Sequence, residues 1–93
     1  MAISSFKHSE LKKLANGKNA KINSEHLKKL KTLLSIFNHL KSVNDLFNSN
    51  SFKPHPLDGK LKGHWSIQIS GNWRVTFKFE DGNVKDIDYI DYH

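Results

Sequence analysis

From His64 onward the chain alternates with a period of two, and it does so twice in succession. In HWSIQIS, Trp65, Ile67 and Ile69 interleave with His64, Ser66, Gln68 and Ser70. In NWRVTFKFE, Trp73, Val75, Phe77 and Phe79 interleave with Asn72, Arg74, Thr76 and Lys78. Successive side chains of a strand point to opposite faces, so the pattern predicts two strands, each with one apolar and one polar face. The tight Ser70-Gly71-Asn72 link makes them antiparallel neighbours. Asp81-Gly82 is a hairpin signal that adds a third strand, over 84–92. There the alternation falters, with Ile87 and Tyr89 set against Asp86, Asp88 and Ile90, as a β-bulge would make it. One face of such a meander needs covering; the polar face is free to hold a site.

The cover comes from the first half of the chain. AISSF reads as a short edge strand. SELKKLANG reads as a short helix with Ser9 as N-cap, Leu11 and Leu14 on one face, and Asn16-Gly17 as its stop. The clearest helix begins at Ser24, the expected N-cap, with Glu25 near the positive end of the helix dipole. Leu27, Leu30, Leu34 and Phe37 follow at spacings of three, four and three, and Leu33, Ile36 and Leu40 widen the stripe. Lys28, Lys29, Lys31 and Lys41 lie away from its centre. Residues 42–47 predict one more helical turn, with Val43, Leu46 and Phe47 packing inward. NSNSFKPHP is a loop by its Asn, Ser and Pro content. The expected class is therefore α+β, with N-terminal helices packed on one face of a twisted, mainly antiparallel sheet, in one domain over 1–93. A chain of this length buries only about 60–65% of its unfolded surface, enough for one core.

Charge is divided unevenly between the halves. Residues 1–53 carry ten lysines against Glu10, Glu25 and Asp45, whereas residues 54–93 carry five basic residues against six acids. The net charge of +6 favours polyanionic partners, nucleic acid above all, although a solvated Lys-rich surface has the same composition. No cysteine is present, which excludes disulfides and thiolate metal sites and is compatible with a reducing cytoplasm. No apolar run approaches the ~18 residues of a membrane span, and the N-terminus does not read as a signal peptide.

Three places can carry chemistry. Arg74 is the one arginine among fifteen basic residues, on the polar side of an expected central strand. There it suits bidentate contact with a phosphate, or a cross-strand ion pair with Asp88 or Glu80. His55 is held between two prolines, where a positioned imidazole can move protons near neutral pH. The chain closes on Asp91-Tyr92-His93: a carboxylate, a phenol that can stack on a base, and an imidazole. Six histidines raise the idea of a metal site, but no HExxH or comparable ligand spacing is present. No metal or cofactor is expected. A phosphate-binding Gly-rich loop and a nucleophile elbow are also missing.

Residues 55–93, HPLDGKLKGHWSIQISGNWRVTFKFEDGNVKDIDYIDYH, resemble the HigB (host inhibition of growth) toxins of the RelE-like superfamily. The likeness rests on an HPL-x-G loop, a His-Trp-Ser-Ile strand, an Asn-Trp-Arg strand and a terminal Asp-Tyr-His, in one order and spacing. SFKH and the helical half are similar too. The resemblance implies a small toxin of a type II toxin–antitoxin pair, cytoplasmic and without membrane association. It implies a ribosome-dependent endoribonuclease that cuts mRNA in the decoding site, and a helix-turn-helix (HigA-like) antitoxin as partner. Carried over, its site is His55, Arg74, Asp91, Tyr92 and His93, with the imidazole of His93 expected to face Arg74 and His55. Lys53, Lys60, Lys62, Lys12, Lys13, Lys28, Lys29 and Lys31 are the expected RNA- and ribosome-binding residues. Asp58 departs from the pattern, because family members can carry a lysine there that contributes to the site. That departure keeps open a homologue that binds RNA or antitoxin without cutting.

Overall fold

Five strands form a single sheet in the order β1-β5-β4-β3-β2 in a computed structural model that describes residues 2–48 and 52–91. The strands are β1 (Ala2–Ile3), β2 (His55–Pro56), β3 (His64–Ser70), β4 (Trp73–Glu80) and β5 (Asn83–Asp91). Helices α1 (Ser9–Ala15), α2 (Ser24–His39) and α3 (Val43–Phe47) come before β2. All pairings are antiparallel except β1 on β5, so the sheet is mainly antiparallel as the alternation predicts. Pro56 lies in β2, an edge strand, where a missing N–H breaks no ladder.

The helices cover the apolar face. Leu30, Leu33, Leu34 and Phe37 of α2 are buried against Ile67, Val75, Phe77 and Ile87, and the Phe37 and Phe77 rings lie 4.9 Å apart. Leu11 and Leu14 of α1 join the same core. Leu27 and Ile36 are only half-buried, at the margins of the stripe. Helices α1 and α2 are each capped one position earlier than the serine signalled. His8 caps α1, its Nδ1 accepting from the Leu11 N–H at 3.2 Å, so Ser9 is the first helical residue. Asn23 caps α2, its Oδ1 accepting from the Glu25 N–H at 3.0 Å. In α3 Leu46 packs inward, but Phe47 is 39% exposed, resting on the half-buried Trp65 at 4.9 Å. The side chain of Val43 lies outside the described residues.

Local backbone chemistry explains how the strands are joined and phased. Asp81 and Gly82 both take positive φ, +53° and +78°, the geometry that matches a two-residue turn to strand twist. The faltering alternation of β5 is a bulge: Thr76 pairs with Asp88 but Lys78 pairs with Lys85. Asp86 adopts φ +53° there, and the phase of buried residues moves from Val84 to Ile87 and Tyr89. Ser5 holds the bulge, its Oγ accepting from the Asp86 N–H at 2.8 Å and donating to Asp86 Oδ1 at 3.2 Å. A second shift, between Gln68 and Ser70, leaves Ile69 out of register, and Lys29 Nζ donates to its carbonyl at 2.9 Å.

Candidate active site

The uncovered face of the sheet is an ordered grid. Across one rung stand His55, Ser66, Thr76 and Asp88; across the next stand Gln68, Arg74 and Ile90. Rungs two residues apart on one face are separated by about 6.6 Å, and neighbouring strands by about 4.8 Å. His55, Leu57, Ser66, Gln68, Arg74 and Thr76 together line a cleft of about 300 Å³. A second hollow, about 250 Å³, lies between α1 and α2 and offers only Lys31 and His39 as charged or titratable groups. The cleft on the sheet is the one with convergent chemistry.

Arg74 reaches the cleft from β4, the middle strand, flanked by Gln68 and Ile90. It is half-buried. Among the described residues it makes no ion pair, so neither cross-strand partner claims it: Glu80 pairs with Lys85 at 2.9 Å, and Asp88 Oδ1 accepts from the Tyr89 N–H at 2.9 Å. The Lys85 ammonium holds the Glu80 carboxyl below its ordinary range, first by hydrogen bonding and then by charge. A guanidinium left with its donors facing a cleft is prepared for an anion. His55 is exposed at the cleft rim, fixed by its prolines and by pairing opposite Ser66. The strand is extended past it by the Leu57 N–H, which donates to the His64 carbonyl at 3.0 Å.

Of the other expected site residues, Asp91 is placed differently from Arg74. It pairs with Trp73, the neighbour of Arg74, and strand alternation gives it the Trp73 side of the sheet. It does not line the cleft, and its carboxylate instead bears on Tyr89. Tyr92 and His93 lie outside the described residues, and so does the expectation that His93 faces Arg74. Asp58 is exposed just ahead of a short turn of 3-10 helix, Gly59–Leu61, with Lys60 and Lys62 exposed beside it. Lys53 is exposed as well.

The helical lysines occupy the layer on the other side of the sheet. Lys12, Lys28 and Lys31 are exposed, and Lys13 is paired with Glu10 at 3.0 Å. Lys29 departs from the expectation of a free docking cation. Its ammonium is held by the Ile69 carbonyl and lies 5.7 Å from the centre of the Phe52 ring.

Sequence reasoning assigned no role to Ser66, Gln68 and Thr76, although alternation had put them on the polar face. What it lacked was β2, whose two residues turn that face into a cleft. It also missed His26, which is 3% exposed and whose Nδ1 is hydrogen-bonded to the Tyr89 hydroxyl. Trp73 stacks on Tyr89 at 4.6 Å, and His8 meets the same ring edge-on at 5.5 Å. The signal was available, because position 26 precedes Leu30 by one helical turn of four.

Helices thus lie on one face of a five-stranded sheet, and Arg74 and His55 line a cleft on the other. A chain of the YoeB–YefM complex from Staphylococcus aureus matches over 100% of this chain and 97% of that chain, with a TM-score of 0.64 at 22% identity. A YafQ mutant from E. coli matches over 94% of this chain and 88% of that chain, with a TM-score of 0.59 at 24% identity. These likenesses establish the fold. The family model of the HigB-like toxins, RelE-like toxins of type II toxin–antitoxin systems, matches residues 4–93. The endoribonuclease HigB of Proteus vulgaris is 35% identical over 92 residues, which are 98% of this chain and 99% of that protein. The chain belongs to the HigB-like toxin family.

Proposed function

We propose that this toxin is a ribosome-dependent endoribonuclease that cuts translated mRNA at the cleft between His55 and Arg74. The observation that carries the reading is Arg74: half-buried on the middle strand, without an ion pair among the described residues, and sharing one cleft with a proline-bracketed histidine. The name of the Proteus vulgaris relative supports the activity.

The reaction is internal transfer. The substrate's 2′-OH attacks the adjacent phosphorus, the bond to the 5′-oxygen breaks, and the products are a 2′,3′-cyclic phosphate and a 5′-OH. Arg74 stabilises the charge that builds on the phosphate oxygens. His55 carries one proton transfer, and His93 the other. Tyr92 stacks against or orients the substrate. Each proton has a side chain assigned to it, so the scheme routes no step through a metal. Lys53, Lys60 and Lys62 hold the message near the cleft, while Lys12, Lys13, Lys28 and Lys31 dock on ribosomal RNA from the helical layer. The protein works in the cytoplasm and is silenced by a helix-turn-helix antitoxin.

Asp58 favours a second reading, because it puts a negative charge beside the cleft where relatives can carry a lysine. On that reading the chain binds antitoxin or RNA and does not cut. Inducible expression in bacteria, with mapping of mRNA 5′ ends, separates the two. The nuclease reading predicts growth arrest with cuts confined to translated frames, and loss of about 10²-fold or more in cutting with Arg74→Ala. Expression of the unaltered protein without any new 5′ ends would leave the binding module standing.

A further inference from the structure

Below His55 and Arg74 the cleft has an uncharged floor with a defect in it. Ser66 is 3% exposed, and among the described residues its buried Oγ has no hydrogen-bond partner. Its neighbours on the rung are His55 on one side and Thr76, 5% exposed, on the other. Gln68 lies on the next rung beside Arg74, anchored by its Nε2 donating to the Gly71 carbonyl at 3.0 Å, and Leu57 forms an apolar wall. Among the described residues, folding gives the Ser66 hydroxyl no partner. A buried polar group without a partner is destabilising and calls for an explanation, of which a missing ligand is one.

Resting on the nuclease reading of this cleft, we propose that Ser66 reads the substrate: its Oγ hydrogen-bonds the edge of a nucleobase next to the phosphate held by Arg74. Charge divides the labour. The guanidinium and the imidazole at the rim suit the anionic backbone, whereas the floor of hydroxyls, amide and aliphatic wall suits a neutral, flat, polar-edged group. A serine hydroxyl both donates and accepts, and serine pairs with base edges of either kind. Single-stranded RNA can splay a base into such a place. At about 300 Å³ the cleft is at the small end of ligand sites, which suits one nucleotide unit. Ser66 is thus a specificity residue of the site, separate from the groups that move protons.

The test uses the full-length protein on translating ribosomes, with a message that presents all four bases at every codon position. Cut sites and rates are mapped for the unaltered protein and for Ser66→Ala, and Tm is measured for both. The proposal expects the unaltered protein to prefer certain bases at one position near the cut. Ser66→Ala should weaken that preference by roughly tenfold, with Tm unchanged or raised because an unpartnered buried hydroxyl has gone. Equal rate and preference in the variant would overturn it. So would uniform slowing at every site with preference intact, which would assign the hydroxyl to sugar or phosphate. A lowered Tm would overturn it too, by revealing a protein partner for Oγ, as would an unaltered protein that cuts without base preference. No cutting by the unaltered protein would instead remove the nuclease reading on which the proposal stands.

Discussion

Tyr89 meets three rings and one hydrogen bond inside the helix-covered half of the molecule. Its hydroxyl is bonded to His26 Nδ1, its ring stacks on Trp73, and His8 caps α1 while touching the same ring. The cluster ties α1 and α2 to β4 and β5 one residue from Arg74. Burial, and after it the nearby Asp91 carboxylate, push the Tyr89 hydroxyl above its ordinary value of 10.0. The folded chain therefore holds that proton more tightly than the unfolded chain. The stability contributed is complete below about pH 10 and is lost as pH rises through the higher folded value. Tyr89→Phe should cost about 1–3 kcal/mol at neutral pH by stripping His26 of its partner, read as a lowered urea midpoint. It should also flatten the alkaline decline in stability; an equal decline in both proteins would assign that limb to other groups. None of this was legible from residue types. Tyr89 was read as one apolar position of a strand and His26 as one of six histidines, because a buried hydrogen bond between residues 63 apart leaves no mark in local pattern.

At the scale of elements, local rules served well where one rule acted alone. The period-two runs gave β3 and β4, and Asp81-Gly82 gave the turn with both residues at positive φ. The broken rhythm of 84–92 gave the bulge in β5. Caps were misplaced by one residue because His8 and Asn23 can accept the orphan N–H as a serine would. The bulge also depends on β1, which supplies the chain leading to Ser5. Ser5→Ala removes the acceptor of the Asp86 N–H while leaving Asp86 at φ +53°. The expected loss is about 1–3 kcal/mol, measured by chemical denaturation, with amide exchange quickened around Asp86 and little changed in β3. A destabilisation spread evenly over the sheet would argue that Ser5 does not hold the bulge.

Over the whole molecule, the sheet separates two kinds of positive charge. Arg74 faces the cleft, while Lys12, Lys28 and Lys31 belong to the helices on the opposite layer. On the proposed function, a chain so arranged grips RNA on two sides at once, one side for chemistry and the other for docking. Replacing Lys12, Lys28 and Lys31 together by Glu should weaken ribosome binding and flatten its dependence on salt, without touching the cleft. An unchanged affinity would mean that these lysines serve solubility alone. The composition showed the basic excess, and alternation showed a polar face. Their placement on opposite layers follows from that alternation, since the helices cover the apolar face and Arg74 stands on the polar one; what alternation could not show is that Lys29 is drawn onto the Ile69 carbonyl, a contact between residues 40 apart.

The central claim is that the cleft of His55 and Arg74 cuts RNA through the substrate's own 2′-OH. It is tested most directly on translating ribosomes with a message carrying a single 2′-deoxy nucleotide on the 5′ side of a mapped cut. The account predicts that cutting at that bond disappears while neighbouring sites are unaffected, and that the all-ribose message yields a 2′,3′-cyclic phosphate and a 5′-OH. Cutting that persists at the deoxy-substituted bond would contradict it.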